Sequence, residues 1–173
     1  AAIRRASVSI SDSDSRLRDI AAKLTELRSV ANESIGRDNG ADRSDLRDRA
    51  TQLIDAIGAV VDTPGDGADN LLGASDTTYA LNAGHTVTLR GRGIVDKLDQ
   101  ILGSANVNNA NTADDLRAGI DEVLMPAITR ARDDLRIDRN VINLASNVLD
   151  ARGKIDERAR SLVNVVPAMI SRA

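Results

Sequence analysis

From Ile128 the sequence places an apolar residue at every seventh position, at Leu135, Ile142 and Leu149. A second seven-spaced row runs beside it at Ile120, Ala127, Val141, Val148, Ile155 and Leu162. Seven residues are close to two turns of an α-helix, so each row stays on one side of a long helix and demands a partner along its length. The remaining positions of the stretch RARDDLRIDRNVINLASNVLDAR are dominated by Arg, Asp and Asn, which suit water or another charged surface. Tyr79 is the sole aromatic residue of the 173. The core must therefore be built from Leu, Ile, Val and Ala, which suits a thin seam between helices better than a ball around a pocket.

Earlier in the chain the same periodicity recurs. Leu17, Ile20, Ala21, Leu24, Leu27, Val30 and Ala31 form a helical stripe that extends upstream through Val8 and Ile10, across the Ser/Asp cluster Ser11 to Ser15. The segment IGRDNGADRSD breaks it, with Gly36, Asn39 and Gly40 as turn formers and Asp42 or Ser44 placed to cap the next helix. That helix carries Leu46, Ala50, Leu53, Ile54, Ile57, Val60 and Val61 and ends before Thr63-Pro64-Gly65. Helices joined by so short a turn lie antiparallel. A Gly/Asp-rich loop follows to Asp76. Alternation around Asn82-Ala83-Gly84 then predicts a β-hairpin with strands near Thr78 to Leu81 and His85 to Leu89, which must rest on the helices because a lone hairpin is marginal.

A short helix at Ile94 to Leu102 and the linker GSANVNNANTADD lead to a possible capping box at Thr112 and Asp115. From there a helical pattern runs to about Val166, spanning ~80 Å if unbroken. Pro126 should kink it or mark a seam near Met125. The expected organisation is thus two N-terminal helices over 1–62, a loop and hairpin over 63–92, a short helix and crossover over 93–111, and a long C-terminal helix over 112–173. The fold class is mainly α: an elongated antiparallel helical bundle with a small β-hairpin. The intramolecular seam is expected at Leu17, Ile20, Leu24, Leu27, Leu46, Leu53, Ile57, Ile128, Leu135, Ile142 and Leu149.

Charge narrows the function. Asp and Glu number 26 against 23 Lys and Arg, a net charge of −3, and the signs alternate along the helices. A nucleic-acid footprint needs a basic face, so none is expected. There is no cysteine, hence neither a disulfide framework nor a thiolate metal site. No run of about 18 apolar residues predicts membrane insertion, and no signal-peptide pattern opens the chain. The ends, AAIRRASVSISDSDSRL and LVNVVPAMISRA, both fall inside a pattern, so a fragment of a longer protein is expected.

Catalysis needs converging groups. His85 is the sole histidine and reads as a surface residue beside the hairpin turn. Asp114-Asp115 and Asp133-Asp134 are adjacent helical residues whose side chains diverge. GRGIVDK lacks the spacing of a phosphate loop, and TPGDGADN lacks the full calcium-loop pattern, so a plain turn is the simpler reading of it. No catalytic residue, cofactor or metal is expected.

The order of elements and three segments resemble bacterial flagellin, specifically the inner rod-like domain of the filament subunit. LTELRSVANES (Leu24 to Ser34) is similar to the family's L-x-x-[VM]-R-E-L-A-x-x-[AS] at Leu24, Leu27, Arg28 and Ala31. DRSDLRDRATQLIDAIGAVVDT (Asp42 to Thr63) is similar to the segment that follows in the family. RDDLRIDRNVINLASNVL (Arg132 to Leu149) resembles R-A-D-L-G-A-x-Q-N-R-L-x-x-x-I-x-N-L at Arg132, Asp134, Leu135, Asn140, Ile142 and Asn147. In TPGDGADNLLG the family's loop is matched at Thr63, Gly67, Leu71 and Leu72, without its phenylalanine. Together these segments cover about two thirds of the chain.

The resemblance implies a secreted, extracellular structural subunit of the flagellar filament, with its tube-forming terminal helices removed and a short crossover where outer domains would sit. It implies other flagellin subunits as partners, together with the export machinery and a chaperone. Glu26, Arg28, Val30, Arg132, Asp134 and Asn140 become the candidate assembly or receptor-facing surface. Flagellins are bound by a Toll-like receptor through an arginine whose place is taken here by Glu26, and Val30 replaces the following leucine. Reversing a hot-spot charge costs about 2–4 kcal/mol, so weak or absent receptor binding is expected. Two other readings stay open: the related hook-associated junction protein, and a coiled-coil adaptor or sensor module, which would have no hairpin.

Overall fold

A computed structural model describes residues 2–81 and 84–170 of the chain. The first helix, α1 (Ala2–Gly36), is followed by α2 (Ser44–Asp62), then by strands β1 (Thr77–Ala80) and β2 (Thr86–Leu89). Two short helices, α3 (Ile94–Leu102) and α4 (Ala110–Ala118), lead through a wide π-turn at Gly119–Leu124 into α5 (Met125–Ile170). The architecture is a mainly α, antiparallel bundle carrying a two-stranded antiparallel sheet.

The Ser/Asp cluster does not interrupt α1, because its serines turn inward and find space there. Ser9 and Ser13 are fully buried between the apolar residues Ala6, Ile10 and Leu17. Their small side chains let neighbouring segments approach, and the Ser9 hydroxyl donates to the Arg5 carbonyl at 2.9 Å. From Leu17 onward the stripe is buried at Ile20, Leu24, Leu27, Val30 and Ala31. With 35 residues, α1 is about 52 Å long.

This helix is the spine of the molecule. It packs against α2 along one side and against α4 and α5 along the other. The seam residues thus meet pairwise and not all three together: α2 rests on α1, and the close partner of α5 is α1. Polar ties fix the antiparallel register. Arg28 meets Asp121 at 2.8 Å, Arg132 meets Asp14 at 3.0 Å, and the Ser34 hydroxyl donates to the Val107 carbonyl at 3.0 Å.

The two seven-spaced rows behave differently. Ile128, Leu135 and Ile142 are buried against α1, and Leu149 is half-buried. Of the second row Ile120 is buried and Ala127 partly so, but Val141, Val148, Ile155 and Leu162 are exposed. Two physical reasons account for this. Val141 lies roughly 100° around the helix from Ile142, off the face that meets α1. The register set by Asp14 and Arg132 also brings α5 level with the first residues of α1 near residue 144, so Val148, Ile155 and Leu162 lie beyond the described length of α1.

Three local expectations shift. The strands pair Thr77 with Leu89 and Ala80 with Thr86, one residue from the predicted bounds, and Asn82-Ala83 of the predicted turn lies outside the described residues. The helix after the crossover begins at Ala110, not Thr112, and the capping box is formed by Asn109 with Thr112. Asn109 Oδ1 accepts the Thr112 amide at 3.0 Å, and the Asn109 amide donates back to the Thr112 hydroxyl, so the box closes one turn earlier in the chain. At Pro126 the helix does not break. Proline cannot donate a backbone hydrogen bond and its ring crowds the carbonyl four residues back, and the preceding turn widens so that the Met125 amide donates to the Ile120 carbonyl, five residues back.

At the start of α2, Asp42 caps from one residue outside, accepting from the Ser44 amide and hydroxyl at 2.9 Å each. The loop after α2 buries Leu71 and Leu72 completely and is stitched to the residues after the hairpin by Arg92 N to Leu71 O and Ile94 N to Leu72 O.

Candidate assembly surface

Polar groups that reach the interior seal helix ends and dock the loop. Arg16, 7% exposed, lies on the core face of α1. Its guanidinium donates to the Val60 carbonyl at 2.8 Å and to the Val61 carbonyl, at the end of α2 where carbonyls have no partner within their own helix. It also reaches Asn70 Oδ1. Arg43, 5% exposed, does the same for α1: it donates to the carbonyls of Ser34 at 3.1 Å and Arg37 at 3.0 Å. Both arginines were invisible as caps in the sequence, although Arg16 falls on the apolar stripe and so had to point inward.

Asp69 and Asn70, read in the sequence as part of a loop with calcium-like oxygens, are used for docking. The buried Tyr79 hydroxyl donates to Asp69 Oδ2 at 2.8 Å and lies 3.1 Å from Ser9 Oγ, while Arg5 meets Asp69 Oδ1 at 2.6 Å. This network ties hairpin, loop and α1 together. Burial and the neighbouring Asp69 carboxylate push the Tyr79 hydroxyl up to about 12. Among the described residues no cluster of His, Cys, Asp or Glu has the arrangement to hold a metal ion. His85 is exposed just before β2; Asp114 and Asp133 pair with Arg117 and Arg136 on their own helices.

The outer surface is a mosaic of such pairs. Asp14–Arg18 and Asp19–Lys23 (2.7 Å each) and Glu33–Arg37 (3.1 Å) follow the four-residue helical spacing. Arg37 also grips Asp45 with two contacts of 2.6 Å, holding that carboxyl down at about 2.

The six candidate surface residues do not form one patch. Glu26 is exposed beside Arg49 and Gln52 in the shallow groove between α1 and α2. Arg28 is committed to Asp121. Val30 is 1% exposed, which removes it from any outer surface: its side chain falls on the same stripe as Leu27 and Leu24 and packs inward. Arg132 is half-exposed and tied to Asp14, Asp134 is half-buried near Arg90 and Lys97, and Asn140 is exposed on α5. Of the seam residues, Leu53 and Leu149 are half-buried and the other nine are buried.

This arrangement of helices and hairpin is similar in fold to a solved protein. The crystal structure of Bacillus cereus flagellin superposes with a TM-score of 0.59, covering 86% of this chain and 84% of that one at 20% identity. The fold is that of flagellin. A flagellar hook-associated protein from Vibrio parahaemolyticus aligns over 86% of this chain and 85% of its own, at 13% identity and a TM-score of 0.46, too low a likeness to bear on the argument. No family model matches the sequence, and no curated protein matches it either.

Proposed function

We propose that this chain is a structural subunit of the bacterial flagellar filament, secreted and assembled outside the cell by lateral and lengthwise packing of copies. The observation that carries the reading is the division of labour within the flagellin fold. The apolar stripe of α1 is consumed in the core, while the surface presents arginines and aspartates in rows, joined on α5 by the exposed Val141, Val148, Ile155 and Leu162, a mixture suited to contacts with many neighbours. Heterologous contacts of that kind propagate into a helical polymer when their rotation does not close. Weak polar contacts repeated over many copies also support more than one stable packing, as a filament that changes its helical form requires. Delivery by the flagellar export machinery with a chaperone belongs to the same reading.

The docked hairpin weighs against a simple coiled-coil adaptor, because Tyr79 and Leu89 are buried in the helical core. Seeded growth tests the proposal: the full-length subunit that contains this chain with its terminal helices is added to fragmented flagellar filaments and the ends are followed by electron microscopy. Continued elongation is expected. Addition of a single layer that then stops would indicate a junction protein of the hook-associated kind, and no addition would overturn the flagellar reading. Receptor recognition follows from Glu26, an exposed carboxylate where the family's receptor contact is an arginine. Reporter cells carrying the flagellin receptor should respond weakly or not at all; strong signalling at nanomolar protein would contradict this.

A further inference from the structure

Two grooves on the surface carry opposite charge. Between α2 and α3 lies an open groove of about 530 Å³, floored by Ile54, Val61 and Leu98 and rimmed by Asp55, Asp62 and Asp99. No cation lines it, and among the described residues none of the three rim carboxylates joins an ion pair. Between α1 and α5 lies a second groove of about 360 Å³ that contains Arg18, Arg132, Arg136 and Arg139 with Asp14 and Asp133, four guanidinium groups for two carboxylates. Asp14 is shared between Arg18 at 2.7 Å and Arg132 at 3.0 Å, and Asp133 meets Arg136 at 3.0 Å.

We propose, building on the filament reading, that the arginine groove of one copy docks onto the acidic groove of the next. Both grooves belong to one packed fold and share no residue, so they can meet only between copies. The spacing matches. Asp55 and Asp62 are seven residues apart on α2, and Arg132 and Arg139 are seven apart on α5. Each pair therefore spans about 10.5 Å along its helix axis, and two carboxylates can face two guanidinium groups in one register. The floor matches as well. Arginine carries a three-carbon stem that covers apolar surface while its charged end reaches outward, so stems can lie on Ile54 and Leu98 with the heads at the rim. Between the two α2 carboxylates sits Gly58, where an added Cβ would meet nothing within 4 Å, leaving a shelf onto which a neighbouring helix can settle. Because the two faces differ, the contact is heterologous and leaves a groove of each sign free at the two ends of any chain of copies.

The test is charge exchange in the full-length protein. Asp55→Lys with Asp62→Lys makes the first variant, and Arg136→Glu with Arg139→Glu the second; Arg132 is left intact because it also ties α5 to α1 through Asp14. Circular dichroism and thermal melting confirm that each variant folds. Each alone should add to filament seeds at least about tenfold more slowly than the unaltered protein, since like charges then face each other. The chain carrying all four changes restores opposite charges across the contact and should regain most of that rate. If both double variants elongate filaments normally, or if the fourfold variant is as defective as either, this pairing is overturned while the filament reading stands. If the unaltered protein itself does not extend filaments, the filament reading falls and the pairing with it.

Discussion

Arg16 donates to the carbonyls of Val60 and Val61, which have no acceptor role left within α2, so its guanidinium substitutes for the water those groups would otherwise need. Replacing it with leucine keeps the bulk and strands buried carbonyls, which should lower stability by about 2–4 kcal/mol in urea denaturation. A loss within experimental error would mean that water replaces the cap. Tyr79 gives a pH-dependent counterpart. Its hydroxyl is held at about 12 in the folded chain against 10.0 for the ordinary group. The folded state therefore binds the proton more tightly, and this contribution is fully present below pH 10 and is lost as pH rises through about 12. The Tyr79→Phe variant should lack that alkaline decline when its melting profile is compared with the unaltered chain. Such residue-level roles were the least legible in the sequence. Arg16 went unnoticed beside the apolar stripe, its partners lie 44 and 45 residues away, and local spacing carries no information about which carbonyls arrive there. Val30 was misplaced on the outer surface for the opposite reason: a family position was carried over although its own periodicity placed it with Leu27.

Elements were far more legible, because helix and strand periods are written locally. The helices at Ser44 and Ile94 and the hairpin follow from apolar spacing and turn residues alone. Where bounds moved, a specific bond decided it: Asn109 reaches the Thr112 amide, so α4 starts half a turn early. At Pro126 the helix absorbs the missing donor by widening one turn, an outcome that no local pattern distinguishes from a kink. At the join between loop and hairpin two backbone segments come into close approach. A Cβ added at Gly91 would lie 2.4 Å from the Ala74 carbonyl carbon and 2.6 Å from the Gly73 oxygen, backbone atoms that cannot rotate aside. Gly91→Ala should thus cost about 1–3 kcal/mol and loosen the hairpin, read as faster amide exchange at Thr77 to Ala80. Unchanged exchange there would show that the loop yields at no cost. Within the spine, Leu24→Ala should cost about 2–5 kcal/mol by chemical denaturation, since the side chain is fully buried between helices.

Distant halves of the chain lie lengthwise against each other, and the filament proposal assigns the largely charged exterior to contacts between copies. The chain's own sequence indicated the antiparallel pairing but not that α1 alone would serve as the shared partner, because any of three apolar stripes could have occupied the middle. Burial settles it: α1 is flanked on two sides, and accordingly has an almost continuous buried stripe from Ala6 to Ser34. The absence of cysteine allows a direct check of the alignment. Cysteines at Asp14 and Arg132, or at Arg28 and Asp121, replace pairs now 3.0 and 2.8 Å apart. The mismatched pair Asp14 and Asp121 is offset by the 14 residues between Asp14 and Arg28, about 21 Å along α1. A short thiol cross-linker should join the two matched pairs within one chain and spare the mismatched one. Equal cross-linking of all three, or failure of both matched pairs in a folded sample, would contradict the account.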